Sequence, residues 1–289
     1  MNATLQLTLS MVIFGTIGIF RRAIPLPSSL VAMTRGLAGA AFLLALLRLR
    51  GVHLNGAAIR KKLGLLCLSG AAMGVNWILL FEAYNYTSVA TATLCYYLMP
   101  MFVILISPVL LKEKLRARKI ACVAVALVGM VFVSGILNAG FSGVREIRGV
   151  LLGLAAAAFY AGVVLMNKAL GDVPALDRSI VQLAAAGVVL LPYVLLTEDL
   201  TALRFTPTTL CMLAIVCILH TGVAYALYFG SLMHLKAQTA AMLSYIDPVV
   251  AVLLSSLLLK ERLGLMGGVG AVLVLGAAMA SEMPEKERK

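Results

Sequence analysis

The sequence contains ten apolar runs, each about as long as a membrane is thick. A helix needs about 20 mainly apolar residues to cross the hydrocarbon core of a bilayer. The runs lie near residues 5–23, 29–47, 63–82, 88–111, 118–137, 149–170, 178–197, 208–231, 237–259 and 264–281. Because every connection between them is short, we predict an all-α membrane protein of ten transmembrane helices with no inserted water-soluble domain.

The composition argues against a soluble fold of the same length. Of the 289 residues, 62% are apolar and only 12% are charged, whereas about 25% are charged in an ordinary soluble domain. A soluble fold of roughly 300 residues buries only about 75% of its surface, so the bilayer must cover the remaining apolar area. The five cysteines all lie in apolar runs without metal-ligand or disulfide spacing, and we predict neither a metal nor another cofactor.

The net charge of +12 is distributed in short basic clusters between the apolar runs. Sixteen of the 24 Lys and Arg residues fall on one side of the predicted membrane, seven fall on the other, and Arg35 lies within a span. By the positive-inside rule, both termini are predicted to be cytoplasmic, in a multi-pass protein of the cell (inner) membrane. The same placement argues for membrane lipid rather than nucleic acid as the partner of the basic residues. The N-terminus has no basic region or cleavage site typical of a signal peptide, so we interpret the first run as a span.

The two halves of the sequence resemble each other. When the chain is shifted by 148 residues, residues 97–115 align with residues 245–263, and nine of the nineteen positions are identical. The identical positions include the pairs Tyr97/Tyr245 and Pro100/Pro248, and the matching Lys-Glu dipeptides at the end of each segment. Such a match indicates an internal duplication.

The duplication predicts the arrangement of the halves. Each half contains five spans, so the second half enters the membrane from the opposite side. We predict two inverted five-helix repeats around a central cavity, at residues 1–139 and 149–282, followed by a charged cytoplasmic tail at residues 283–289. Inverted repeats are typical of secondary transporters, in which the halves exchange conformations around a midplane site. Duplication for stability alone is the alternative.

Several segments together resemble a known family. They are SLVAMTRGLAGAAFLL around Arg35, YTSVATATLCYYLMP before the fourth span, and the closing motifs LKEKL and LKERL. The chain resembles the EamA family of the drug/metabolite transporter superfamily over essentially its whole length. The resemblance implies a ten-span basket of two inverted units around a central cavity. It also implies export or exchange of small metabolites, often amino acids, without nucleotide hydrolysis, but it specifies the fold better than the substrate.

Four ionisable residues lie within the predicted spans, where each is costly unless it is paired or hydrated. They are Arg35, Glu82, His220 and Asp247, and the 148-residue shift places no ionisable residue opposite any of them. Unduplicated polar groups on a duplicated scaffold suggest a role in solute binding. Structural alternatives remain: Arg35 paired with Glu82 or with backbone carbonyls, Glu82 solvated at the membrane rim, and His220 hydrogen-bonded in the core.

Asp247 is the strongest candidate for a functional role because it directly precedes Pro248. A proline inside a helix leaves a backbone carbonyl without its partner and bends the helix. Pro100 and Pro248 are therefore candidate gating hinges, with static helix curvature as the alternative. Proton coupling through Asp247 or His220 is an additional hypothesis, since histidine changes its charge near neutral pH.

Other polar and aromatic residues complete the predicted binding site: Asn76, Trp77, Tyr97, Asn167, Tyr225, Tyr228 and Tyr245. Tyr225 and Tyr228 are three residues apart and share one helix face. Asn76 and Trp77 are adjacent, so they point about 100° apart and do not both face one narrow site.

The sequence therefore predicts a secondary-active or facilitative transporter that exports small metabolites, with amino acids as the first candidates, as a monomer or weak dimer. Arg35 would bind a carboxylate, Asp247 or Glu82 an amine, and the aromatic rings the apolar part of the solute. Efflux of lipophilic or cationic compounds, or of nucleosides, is the alternative within the same class. An integral-membrane enzyme or receptor is the alternative from another class, but the three histidines are far apart in sequence, and we predict no enzymatic activity.

Overall fold

A computed structural model describes residues 2–110, 117–133, 144–201, 203–232, 234–235, 237–261 and 263–283. In these ranges the regular secondary structure is entirely helical. The α-helices are α1 Ala3–Arg22, α2 Ser28–Leu49, α3 Gly56–Tyr86, α4 Val89–Tyr96, α5 Met99–Leu110, α6 Ala117–Val133, α7 Val144–Ala169, α8 Ala175–Thr197, α9 Pro207–Ala214, α10 Ala224–Leu232, α11 Ala237–Ser244, α12 Ile246–Leu258 and α13 Gly264–Glu282. A π-helix, Ile215–Val223, joins α9 to α10.

Within the described residues, eight helical segments are long and apolar enough to cross a membrane, so the chain is a multi-pass membrane protein. Six are single helices (α1, α2, α3, α7, α8 and α13), and two are composite, Val89–Ile106 and Pro207–Leu232. The other two predicted spans coincide with helices whose described parts are shorter. These are α6, with 17 residues, and α12, with 13 residues, which follows α11.

The helix boundaries recur at the spacing of the sequence duplication. Adding 148 to the bounds of α4 gives 237–244, which are the bounds of α11. The same shift carries α6 to 265–281, inside α13. The interruption between α4 and α5 likewise recurs between α11 and α12.

The sequence indicated that both prolines lie in the interior of a helix. In the structure they lie beside these interruptions instead. Pro100 is the second residue of α5, and Pro248 is the third residue of α12. Proline is tolerated in the first turn of a helix because the N–H groups there have no partner within the helix. The helix therefore breaks before each proline, at residues 97–98 and at Tyr245. The hinge function of Pro100 and Pro248 stays a prediction.

Small residues allow the helices to approach closely, as their spacing predicts. A Cβ atom on Gly70 of α3 would come within 2.5 Å of the carbonyl oxygen of Gln182 on α8. A Cβ atom on Gly153 of α7 would come within 2.8 Å of Cys95 on α4. The buried residues of α2, α3, α7 and α8 form one apolar cluster, and those of α4, α5, α6 and α13 form most of a second.

Candidate functional site

Arg35, in the first third of α2, is 5% exposed and lies inside the bundle. Its Nε donates a hydrogen bond to Thr221 Oγ1 at 2.7 Å. Its guanidinium carbon lies 4.0 Å from the centre of the Trp77 ring and 5.7 Å from that of Phe81. A cation above an aromatic face is stabilised by the negative potential of the ring. Among the described residues, the partners of Arg35 are thus a hydroxyl and aromatic faces, and the alternative of a pairing with Glu82 or with backbone carbonyls is not observed there.

The rest of the Arg35 guanidinium is available for a ligand. Within the part of the chain that the structure describes, neither Nη group of Arg35 takes part in a hydrogen bond or a salt bridge. A planar guanidinium with unused N–H groups is suited to bidentate binding of a carboxylate or phosphate.

The π-helix positions the partner of Arg35. In this segment Thr221 donates to the carbonyl of Val216, five residues earlier, at 3.1 Å, and His220 Nδ1 lies 3.3 Å from the carbonyl of Ile215. Thr221 also packs against Gly39 of α2, where a Cβ atom would lie 2.4 Å from its methyl group. Single π-helical turns are frequent at functional sites, and this one holds Thr221 against α2 beside Arg35.

Asp247 forms the acidic part of the site. It lies at the start of α12 and is half-buried, and its Oδ2 accepts a hydrogen bond from Tyr97 OH at 2.5 Å. Tyr97 belongs to the break between α4 and α5, and its ring centre is 6.4 Å from that of Tyr245 in the corresponding break of the second half. A series of contacts leads from Asp247 through Tyr97 and Tyr96 to Asn76, the neighbour of the Trp77 that faces Arg35. The site therefore combines one cation and one carboxylate from different halves of the chain.

Tyrosines line the region between these charges. Tyr96 stacks on Tyr160 of α7 with ring centres 5.1 Å apart and planes 3° apart, and it contacts the edge of Tyr97 at 6.1 Å. Tyr225 of α10 lies four residues after Thr221, and Phe14 of α1 contacts its ring edge-on, with ring centres 5.6 Å apart. Tyr160, Tyr96, Thr221 and Phe14 are absent from the sequence-based prediction. The signal for Tyr96 was its position beside Tyr97 in the duplicated segment.

Most of the predicted site residues lie near one another in the structure, but they make different contacts. Trp77 faces Arg35, whereas the neighbouring Asn76 donates to the carbonyl of Ala156 at 2.5 Å and lies 3.5 Å from Tyr96 OH. This agrees with their predicted difference in direction. Tyr228 lies one turn from Tyr225, and its ring centre is 6.4 Å from that of Phe14.

Three predicted residues make other contacts. His220 is fully buried, and its Nε2 lies 2.8 Å from Thr16 Oγ1, as in the interpretation of a hydrogen-bonded core histidine. Glu82 accepts hydrogen bonds from Ser28 and Asn85. Asn167 Oδ1 accepts from Gln182 Nε2 at 2.7 Å, and the same nitrogen donates to Ser69, so Asn167 joins α7 to α8 and α3.

A second polar network lies at the end of the bundle where α1 terminates. Arg22 Nη1 lies 2.9 Å from Glu261 Oε1, an ion pair between the first and the second half of the chain. Arg22 also donates to the carbonyl oxygens of Tyr84 at 3.0 Å and Thr87 at 2.9 Å. The other Glu261 oxygen accepts from the backbone N–H of Val89, the first residue of α4, at 2.9 Å. The network therefore connects α1, α3 and α4 to the turn after α12.

A comparison of the sequence with known protein families agrees with the helical membrane fold. The sequence profile of the EamA-like transporter family matches residues 1–135 and again residues 147–281. The chain belongs to the EamA-like transporter family. It is accordingly a membrane transporter of the drug/metabolite transporter superfamily, as its resemblance indicated.

Relatives of this EamA-like transporter are similar over most of their length. An uncharacterized transporter, YxxF of Bacillus subtilis (strain 168), is 26% identical over 292 residues, covering 100% of this chain and 91% of the relative. Protein PecM of Dickeya dadantii (strain 3937) is 27% identical over 215 residues, which is 74% of this chain and 71% of PecM. A solved crystal structure superposes with a TM-score of 0.67 at 21% identity over 96% of each chain, which supports the fold alone.

Proposed function

We propose that this EamA-like transporter exports small zwitterionic metabolites, amino acids first among them, by alternating access. The observation that carries the proposal is the placement of Arg35 and Asp247 in one interior site. Among the described residues, Arg35 has N–H groups without a hydrogen-bond partner, which suit a carboxylate. Within the same residues, the only hydrogen bond to the Asp247 carboxylate is that from Tyr97 to Oδ2, which leaves Oδ1 for an ammonium group. The tyrosines between them offer apolar faces for the remainder of the solute.

The proposed transport cycle rests on ten spans in two inverted repeats. Helix boundaries that recur at a spacing of 148 residues support the repeat, as does a family profile that matches each half. An odd number of spans in each half inverts one half relative to the other. The excess of basic residues on one side supports cytoplasmic termini in the inner membrane. The Arg22 end of the bundle then faces the cell exterior.

The Arg22–Glu261 ion pair is the contact that we assign to closure of this external end. It joins the halves directly, and the Glu261 carboxylate also accepts the first N–H of α4, where a negative charge is favoured by the helix dipole. The Arg35 site lies deeper along α2, beyond this network. Opening toward the exterior requires the ion pair to break, while the interior contacts of Arg35 are retained.

Efflux of lipophilic cations is the second candidate function. The tyrosine faces and Asp247 favour a cation, and this is the specific observation behind it. Arg35 opposes it, because its positive charge interacts unfavourably with a cationic solute in the same site. The two candidates therefore differ in the predicted effect of removing the Arg35 charge, which weakens binding of a zwitterion and strengthens binding of a cation.

Uptake into proteoliposomes tests the proposed function. The purified full chain is reconstituted, and a panel of radiolabelled L-amino acids is offered with and without a pH gradient. Saturable uptake of at least one amino acid, absent from protein-free liposomes, is the expected result. If protein shown to be folded and inserted transports no amino acid but does transport a lipophilic cation such as tetraphenylphosphonium, the zwitterion proposal is wrong and the second candidate stands.

Asp247→Asn is expected to separate transport from proton coupling. The amide keeps the size of the side chain and can still accept the hydrogen bond from Tyr97, but it does not carry a transferable proton. Solute exchange across liposomes is expected to continue with a weaker apparent affinity, because the amide lacks the negative charge that favours an ammonium group, whereas the stimulation of uptake by a pH gradient is expected to disappear. Tyr97→Phe is the matched control, because it removes the hydrogen-bond donor and leaves the carboxylate. An Asp247→Asn variant with the parent's response to the gradient would exclude Asp247 as the coupling group.

Glu261→Gln is expected to open the external end more often. Loss of one charge-assisted contact weakens closure by about 1.5–3 kcal/mol, which is about tenfold or more in the closed/open ratio. The measurement is the labelling rate of Thr91→Cys by a membrane-impermeant thiol reagent, in a background without the five native cysteines. Arg204→Gln is the control, since Arg204 is exposed at the same predicted membrane face and its replacement also removes one charge. Equal labelling rates in Glu261→Gln and the parent would exclude the ion pair as a gate.

A further inference from the structure

A cleft of about 450 Å³ opens at the opposite end of the bundle, between α1, α2 and the C-terminal part of α10. One of its lining residues, Arg50, lies directly after α2, fifteen residues beyond Arg35. At 1.5 Å per residue these positions are about 22 Å apart along the helix. The polar end of the cleft therefore lies apart from Arg35, whereas its inner end, at Val223, lies two residues from Thr221.

The lining of the cleft changes from polar to apolar along the helices. Arg50 and His234 lie at the end of the bundle that contains the N-terminus, and both are exposed. Phe42 and Leu46 on α2 and Leu227 on α10 line the deeper part. Phe42 and Arg50 are eight residues apart, or about 12 Å along the helix. The ligand that matches this lining has a polar group at one end and a hydrocarbon chain at the other.

The polar end of the cleft carries a positive charge, that of Arg50. Among the described residues, the Arg50 guanidinium has no carboxylate or carbonyl partner. The cytoplasmic clusters inferred from the sequence place further Lys and Arg residues at the same membrane surface. Anionic lipids of the cytoplasmic leaflet are attracted to such basic surfaces.

The cleft is also accessible from the bilayer. Gly230, one of its lining residues on α10, is exposed, so the cleft is open at the surface of the helical bundle. At Gly230 of α10 a Cβ atom would meet only Gln6 Oε1, at 3.7 Å. The wall is thus open at Gly230, so a hydrocarbon chain has room between α1 and α10.

We propose that this cleft binds one anionic phospholipid. The headgroup phosphate contacts Arg50 and His234, and one acyl chain lies along Phe42, Leu46 and Leu227. The lipid would stabilise the junction of α1, α2 and α10. This junction holds elements of both halves, so the bound lipid links them at the end opposite to the Arg22–Glu261 ion pair.

Native mass spectrometry and thermal denaturation of the purified full chain test the proposal. The probes are phosphatidylglycerol and phosphatidylcholine with identical acyl chains. Phosphatidylglycerol is expected to remain bound at one copy per chain and to raise the midpoint of thermal denaturation more than phosphatidylcholine does. Equal effects of the two lipids, or an equal effect of inorganic phosphate alone, would overturn the proposal.

Variants of the lining residues test whether the lipid binds in this cleft. Arg50→Gln is expected to weaken binding of phosphatidylglycerol about tenfold, the effect of losing one charge-assisted contact. Arg60→Gln, at the same predicted membrane face but outside the cleft, is expected to have no effect. Gly230→Leu fills the cleft without a change of charge and is expected to reduce binding of phosphatidylglycerol as well. Binding of phosphatidylglycerol that is unchanged in both Arg50→Gln and Gly230→Leu contradicts the assignment of the lipid to this cleft. If Arg50→Gln does not fold, unchanged binding by Gly230→Leu is sufficient to contradict it.

Discussion

Arg35→Ala is expected to reduce uptake of the transported amino acid about tenfold to a hundredfold at low solute concentration. The reason is the loss of the guanidinium that faces the interior site, since a hydrogen bond to a charged group contributes about 1.5–3 kcal/mol and about 1.4 kcal/mol corresponds to a factor of ten. The measurement is the initial rate of uptake into proteoliposomes as a function of solute concentration. The loss should appear mainly as weaker apparent affinity.

Two further variants separate solute binding from a purely structural role of Arg35. Arg35→Lys keeps the positive charge above Trp77 but lacks the planar fork, so it is expected to restore thermal stability more fully than uptake. Thr221→Val removes the partner of Arg35 Nε and leaves the Nη groups in place, so its effect on uptake is expected to be smaller than that of Arg35→Ala. The solute should raise the midpoint of thermal denaturation of the parent but not of Arg35→Ala. Parental uptake by Arg35→Ala would exclude Arg35 from the binding site.

Much of the helical framework could be predicted because its signals are local. An apolar run long enough to cross the bilayer fixes a helix almost independently of its neighbours, and the observed α2 and α8 differ from the predicted spans by only a few residues at each end. The duplication at 148 residues also anticipated the recurrence of α4 as α11. The positions of the helix breaks were less predictable. Pro100 and Pro248 each indicated a nearby break in a helix. The breaks lie before the prolines, at residues 97–98 and at Tyr245.

The sequence identified the charged residues of the candidate site but not the residues that they contact. An arginine or aspartate within an apolar run is visible in the sequence, and Arg35 and Asp247 both lie in the site. Their partners depend on which helices meet, and no local pattern specifies that Thr221 of a π-helix faces α2 or that Tyr97 reaches Asp247 across the two halves. A polar residue within a span can also join helices rather than bind a solute. Asn167 is an example, because its Oδ1 accepts a hydrogen bond from Gln182 of α8.

The crossing of α6 and α13 is a place where the addition of one methyl group is expected to lower stability. A Cβ atom on Gly270 would lie 2.5 Å from the carbonyl oxygen of Gly129, and a Cβ atom on Gly129 would lie 2.8 Å from that of Gly270. Both obstacles are backbone atoms of a packed helix, which cannot rotate away as a side chain can. Gly270→Ala is therefore expected to force α6 and α13 apart and to lower the free energy of unfolding by about 1–3 kcal/mol, the usual cost of overpacking a core.

Gly276→Ala provides a matched control on the same helix, because a Cβ atom at Gly276 meets no atom within 4 Å. Alanine has the higher intrinsic helix propensity, so this variant is expected to be as stable as the parent or slightly more stable. Thermal denaturation of both variants in the same detergent checks the difference. If Gly270→Ala and Gly276→Ala denature at the same temperature, the close approach of α6 and α13 does not contribute to stability. If only Gly270→Ala denatures early, the two halves of the chain are held together at this crossing by direct backbone contact, independently of the Arg35 site.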